Sequence, residues 1–175
     1  KFKIEDYTIY PLPSRHMRTE TALIYLIEHN GKTILYGNDS SMFYDEVWEF
    51  LKGRTLDCVS LDCTMGRTPS NFSHMNYEDN VAVKKRLEEL GCTTPDTRWI
   101  CVHFSHNGQM LYREMTELAA VDNLKLHGTG WKWVFRRKSL SDESDRCYNC
   151  YSYKQIVLGK VTVGVKVCEN LNFHF

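Results

Sequence analysis

At 175 residues, 42% of them hydrophobic, the chain has the size of one domain and enough apolar content to bury a core. Lysine plus arginine and aspartate plus glutamate balance at 22 each. No net field therefore draws the chain toward nucleic acid or an anionic membrane, and an anionic substrate must be held locally.

No apolar run reaches the length of a membrane span, and the opening Lys1-Phe2-Lys3 lacks the charged-then-apolar layout of a signal peptide. The expectation is a soluble, cytoplasmic protein with no membrane partner, for which a homodimer is an open assembly. The seven cysteines are an odd number, and Cys58, Cys63, Cys92 and Cys101 fall in or beside apolar segments. That placement predicts reduced thiols rather than a disulfide framework.

In chain order, Phe2 to Ile9 reads as a strand. The apolar run Ala22 to Ile27, the turn residues His29-Asn30-Gly31-Lys32 and then Thr33-Ile34-Leu35-Tyr36 predict a hairpin of buried strands. Phe43, Val47, Phe50 and Leu51 recur at helical spacing behind a serine N-cap, and that helix is expected to end near Gly53. Leu56 to Cys63 is a strand. Val83, Leu87 and Leu90 mark a second helix closed by Gly91, and Trp99 to Val102 is the next strand. Leu111, Met115 and Leu118 share one face of a third helix starting just after Asn107-Gly108. Strands alternating with helices imply an α/β layer. Beyond about Val121 this regularity fades, through Trp131-Lys132-Trp133 and a polar stretch, into a Val-rich end that reads as unpaired.

Residues able to bind metal collect where the strands stop: His16, Asp39, Asp62 in Ser60-Leu61-Asp62-Cys63-Thr64, and His103. In α/β folds sites form at such strand ends. Taken singly, each is better explained as a loop histidine or a helix-capping aspartate, an explanation that weakens when four occur in succession. Imidazole and carboxylate together suit zinc or manganese, and Asp39 is the natural bridge between two ions. His74 lies in the loop Asn71-Phe72-Ser73-His74-Met75, as either a solvated surface residue or a proton donor. In His103-Phe104-Ser105-His106-Asn107, two imidazoles at a strand-to-helix junction can supply a ligand and a supporting partner.

The order of Leu61-Asp62-Cys63-Thr64-Met65-Gly66, the His74-Met75 loop and His103-Phe104-Ser105-His106-Asn107 resembles the phosphoribosyl cyclic phosphodiesterases of the metallo-β-lactamase superfamily. The resemblance covers about residues 1–120. It implies the C-terminal portion of an αββα sandwich, with residues 121–175 as a divergent tail. It also implies two divalent ions, zinc or manganese, that activate water against a small phosphodiester, a cyclic ribose phosphate among them. On the same resemblance His16 and Asp39 are ligands of this centre, with Asp39 bridging and Ser40 standing where the family has threonine. His103 is the last histidine ligand, His74 protonates the leaving oxygen, and Asp62 and His106 support the ligands.

The superfamily's His-x-His-x-Asp-His motif occurs nowhere in the chain, so the expected ligand set is short and the chain is expected to be inactive alone. The family's Asp-Gly-Met strand is likewise replaced by Lys125-Leu126-His127-Gly128-Thr129-Gly130-Trp131-Lys132-Trp133. A one-base shift in a plausible gene for the family segment yields those residues, and a frameshift near Val121 to Leu124 is expected on that ground. Two other readings stand beside the leading one. A tRNA-processing endonuclease of the same superfamily would share the aspartate and the final histidine, but no basic patch with interleaved aromatics supports a nucleic-acid partner. A non-catalytic zinc module could be organised by Cys147 and Cys150, with Cys168 and His174 completing a site of no recognised spacing.

Overall fold

The computed structural model of the chain describes residues 1–126 in full and, as backbone, Ser152–Leu158 and Val161–Val167. Two compact units result, Lys1–Trp131 and Lys132–Phe175. Cys147, Cys150, Cys168 and His174, the residues of the zinc-module reading, lie outside the described residues.

The first unit is built on a seven-stranded sheet whose spatial order follows the sequence. Strands β1 (Phe2–Ile4) and β2 (Tyr7–Pro13) form a hairpin, where the sequence suggested one strand through Ile9. The chain reverses at Glu5-Asp6, with Glu5 at φ 54°. Neither residue is the glycine or asparagine that normally signals a positive φ, so the break is concealed in the sequence. Pro11 and Pro13 lie beyond Ile9, the last β2 residue paired to β1. Among the described residues the strand has a neighbour there on one side only, a setting that tolerates a residue without an N–H.

Strands β3 (Leu23–His29) and β4 (Lys32–Gly37) are joined by Asn30 and Gly31 at φ 47° and 71°. Two positive φ values in a two-residue loop are what the right-handed twist of a hairpin requires, and Asn-Gly is the pair that adopts them most readily.

From β4 onward the sheet is parallel. Strands β5 (Cys58–Asp62), β6 (Arg98–Val102) and the short β7 (Lys125–Leu126) follow in order. The crossovers carry helices α1 (Asp45–Leu51), α2 (Tyr77–Glu89) and α3 (Tyr112–Val121). Pairing of Gly37 with Leu61, Leu61 with Cys101 and Asp62 with Val102 sets the ends of β4, β5 and β6 level. Whatever follows each strand is therefore delivered to one edge of the sheet.

The helices depart from expectation at their starts. Tyr44 precedes α1 without a side-chain cap. The serine hydroxyls proposed as its N-cap are turned elsewhere, Ser40 donating to the Ser41 carbonyl and Ser41 to that of Asn71. Helix α2 is capped by Asn76, which accepts from the Asp79 N–H at 2.8 Å, and the chain leaves it at Gly91 with φ 68°. Leu111, expected on the buried face of α3, is its exposed N-cap residue, while Met115 and Ala119 are buried.

Leu26, Leu35, Val47, Trp48, Val59 and Leu87 are essentially inaccessible and form the centre of the core. Each such side chain contributes about 1.5–3 kcal/mol on burial. Cys58, Cys63, Cys92 and Cys101 are free thiols, Cys58 being pushed up to about 11 chiefly by burial. No helix among the described residues is long and apolar enough to cross a membrane.

In the second unit, β8 (Ser152–Leu158) and β9 (Val161–Val167) pair antiparallel, with Leu158 opposite Val161. The Val-rich end is thus a hairpin and not the unpaired segment its sequence suggested.

Tyr77, at the start of α2, donates its hydroxyl to the Leu118 carbonyl at 3.0 Å and to the Asp122 carboxylate at the end of α3. Tyr77→Phe is expected to cost about 1–2 kcal/mol, because a buried hydrogen bond to a charged acceptor is lost at almost constant volume. Urea denaturation measures the difference.

Candidate metal centre

The residues after β4, at the end of β5 and after β6 meet at the sheet edge. Asp39 and His103 have φ of 55° and 66°. Among residues with a Cβ, Asp, Asn and His enter this left-handed region most readily, and holding one there costs on the order of 1–3 kcal/mol. Two such residues at strand ends on either side of β5 mark a place where geometry is held against local preference.

Asp62 is the hub. Its side chain is fully buried. Oδ1 accepts the Thr64 N–H at 2.9 Å, and Oδ2 lies 2.8 Å from Nδ1 of His74 and 3.1 Å from Nδ1 of His103. A carboxylate only accepts, so both rings carry their proton on Nδ1 and present an unprotonated Nε2 elsewhere while neutral. Burial alone would raise the Asp62 carboxyl. The hydrogen bonds from His103, the Thr64 N–H and His74 outweigh it and bring the group below the usual carboxylate range. The hydrogen bond to Asp62 in turn raises His103, against partial burial and with help from the Asp39 charge.

Asp39 forms a second, open hub. Its carboxylate is half-exposed, and Oδ1 lies 3.5 Å from Nε2 of His16, 3.5 Å from Nδ1 of His103 and 3.8 Å from Nδ1 of His74. The His16 and His74 rings meet edge-on with centroids 5.0 Å apart, and those of His74 and His103 are 5.7 Å apart. One ligand atom each from Asp39, Asp62, His74 and His103 falls within 4.8 Å of the others.

Of the six site residues named from sequence, His16, Asp39, Asp62, His74 and His103 are brought together. His16 adjoins the group of four through Asp39. His106 is not brought in: it lies exposed in the 3₁₀ turn His106–Gly108, and no contact of its side chain with the cluster exists among the described residues. Ser105 turns inward in its place, donating its hydroxyl to the Thr64 carbonyl at 3.2 Å and accepting from the Asn107 N–H at 3.1 Å.

Several polar residues not singled out in the sequence hold the cluster. Thr64 donates its hydroxyl to the His103 carbonyl at 2.9 Å. Asn80, from α2, donates to the Asp62 carbonyl at 2.7 Å. Asn71 accepts the N–H groups of Ser73 and His74 at 2.8 and 2.9 Å, and Ser73 donates its hydroxyl to the His16 carbonyl. The Asn71-x-Ser73-His74 spacing is that of an Asx turn and is the one signal by which sequence could have revealed this support. Gly66 and Gly108 bring the two site loops into backbone contact: a Cβ on Gly66, at φ 52°, would stand 2.7 Å from the Gly108 carbonyl oxygen.

The donor set fits a divalent cation. Ring nitrogens of His16, His74 and His103 and the open Asp39 carboxylate are nitrogen and oxygen donors of the kind zinc and manganese accept. Asp62 lies behind the imidazoles, the position from which a carboxylate orients histidine ligands in metal sites.

No protein-family model matches the chain, and no curated protein matches it. Solved structures do. The isothiocyanate hydrolase from Delia radicum gut bacteria superposes with a TM-score of 0.51 at 15% identity, over 73% of this chain and 53% of that one. The metallo-β-lactamase fold protein YhfI from Bacillus subtilis gives a TM-score of 0.51 at 15% identity, over 73% of this chain and 48% of its own. The chain has the α/β architecture of the metallo-β-lactamase fold and spans about half the length of these solved relatives.

Asp62→Ala would strand two imidazole N–H donors and one backbone N–H, and is expected to destabilise the metal-free protein by roughly 3 kcal/mol. Asp39→Ala, on the half-exposed hub, is expected to change stability by less than about 0.5 kcal/mol. Equal losses in paired denaturant titrations would refute this division of roles. Gly66→Ala is expected to cost about 2–3 kcal/mol, from a close backbone contact and a strained φ together, and thermal melting in chelator reads it out.

Proposed function

We propose that the chain carries part of the dinuclear centre of a metal-dependent phosphodiester hydrolase. One observation carries this reading: Asp39, Asp62 and His103, at the ends of successive parallel strands, meet His16 and His74 from neighbouring loops, with one carboxylate buried behind the rings and the other open beside them. A purely structural ion-pair network would not require two strained backbones beside an open carboxylate.

In this reading His16, Asp39 and His103 would hold the divalent ions, zinc or manganese. When bound, the ions supply Lewis acidity, which eases deprotonation of water and neutralises charge building on phosphorus. His74 acts as the general acid. Its Nδ1–H is fixed by Asp62 at 2.8 Å, so its Nε2 can carry the proton destined for the leaving oxygen. Asp62 positions both rings. A small phosphodiester, a cyclic ribose phosphate in particular, follows from the sequence resemblance. These residues provide few donors for two ions, so metal affinity and turnover by this chain are expected to be low.

Manganese or zinc titration of the intact chain, followed by elemental analysis, tests the reading. Uptake is expected to fall at least tenfold in Asp39→Asn and His103→Ala, whereas His74→Ala is expected to retain metal and lower any metal-dependent cleavage of bis(4-nitrophenyl) phosphate about 10²-fold. No uptake by the parent chain would sink the metal centre, and preference for 4-nitrophenyl acetate over the diester would sink the reaction class.

A further inference from the structure

The loops bearing His16 and His74 are also joined outside the imidazole cluster. Arg18 follows His16 by two residues, Phe72 precedes His74 by two, and the Arg18 guanidinium lies over the Phe72 ring at 4.5 Å. Ser73, between Phe72 and His74, locks the same two loops by donating to the His16 carbonyl, with its own carbonyl 3.3 Å from the His16 ring nitrogen. Arg18 is exposed, and the ring it lies over belongs to a loop that is locked to its own.

Stacking engages the π face of a guanidinium and leaves its edge N–H groups as a fork of donors. Among the described residues no carboxylate pairs with Arg18. Arg54 differs: it stacks on Phe50 and Tyr10 and also meets Glu28 at 3.2 Å. Beside Arg18 the rim is apolar, with Met17 47% and Phe72 39% exposed. The cluster behind it carries the Asp39 and Asp62 carboxylates, and a chain of zero net charge provides no long-range attraction to offset them for an incoming anion.

We infer that Arg18, held over Phe72, is a specificity-determining residue that binds an oxyanion of the substrate, a phosphate, at the rim of the site, with Met17 and Phe72 against its organic portion. This rests on the hydrolase reading for the word substrate, while the binding itself does not require metal. Arginine suits the role because its fork can meet two phosphate oxygens at once, whereas lysine offers a point charge.

The test uses phenyl phosphate, with benzyl alcohol as neutral control, titrated into the full chain in chelator and again with zinc and followed by amide chemical shifts. Arg18→Ala is expected to weaken phenyl phosphate binding about tenfold at low salt and Arg18→Lys by less, with the difference shrinking as salt is raised. Benzyl alcohol binding and zinc uptake are expected to stay as in the parent, which excludes misfolding as the cause. The inference is overturned if the parent does not bind phenyl phosphate in chelator, if Arg18→Ala binds it as tightly, or if benzyl alcohol is weakened equally. Failure of zinc uptake instead counts against the hydrolase reading, and the chelator arm still judges Arg18.

Discussion

A fully buried carboxylate that accepts from two imidazoles at once is the interaction on which the rest of the site depends. An isolated charge at the Asp62 position would be expelled or neutralised. Three donors, the Nδ1–H groups of His74 and His103 and the Thr64 N–H, keep it ionised. The same bonds fix the tautomer and plane of both rings. Removing the carboxylate would therefore free two potential ligands to rotate.

The fold sustains such a hub by supplying its surroundings from the parallel half of the sheet. Level ends of β4, β5 and β6 bring Asp39, Asp62 and His103 to one edge, and α2 returns Asn80 to the Asp62 carbonyl. Positive φ at Asp39 and His103 is unfavourable locally. It persists because each residue is the exit of a strand whose ladder and core, Leu35, Val59, Leu61 and Cys101 among them, are fixed. The antiparallel half, β1 to β3, contributes differently. Its loop after β2 carries His16 and Arg18 across to the His74 loop, where Ser73 and Phe72 receive them.

Much of this was legible in the sequence because periodicity and punctuation report strand ends directly. Asn30-Gly31 marked the hairpin, Gly91 the end of α2, and apolar runs stopping at Asp39, Asp62 and His103 marked the site edge. What stayed hidden depends on partners distant in sequence. That Asp62 serves two histidines, 12 and 41 residues away, is a property of register and loop path that no local pattern encodes. His106 misled for a related reason. Its spacing from His103 suggested a shared direction, but the chain reverses sense at His103 and enters a 3₁₀ turn, so Ser105 faces inward and His106 does not. The start of α1 was misjudged because its serines found closer acceptors than the helix N-terminus.

The two hubs also bear on how tightly ions can be held. With Asp62 committed to orienting rings, the atoms available to cations are the ring nitrogens of His16, His74 and His103 and the oxygens of Asp39. If His74 is reserved for proton transfer, three residues remain, no more than the three or four protein ligands a single zinc usually takes. Affinity would then come from preorganisation rather than from ligand number: rings already aimed by Asp62 and a carboxylate already held at φ 55° lose little entropy on binding. Such a centre would bind weakly yet with defined geometry, because the fold has already met the orienting cost.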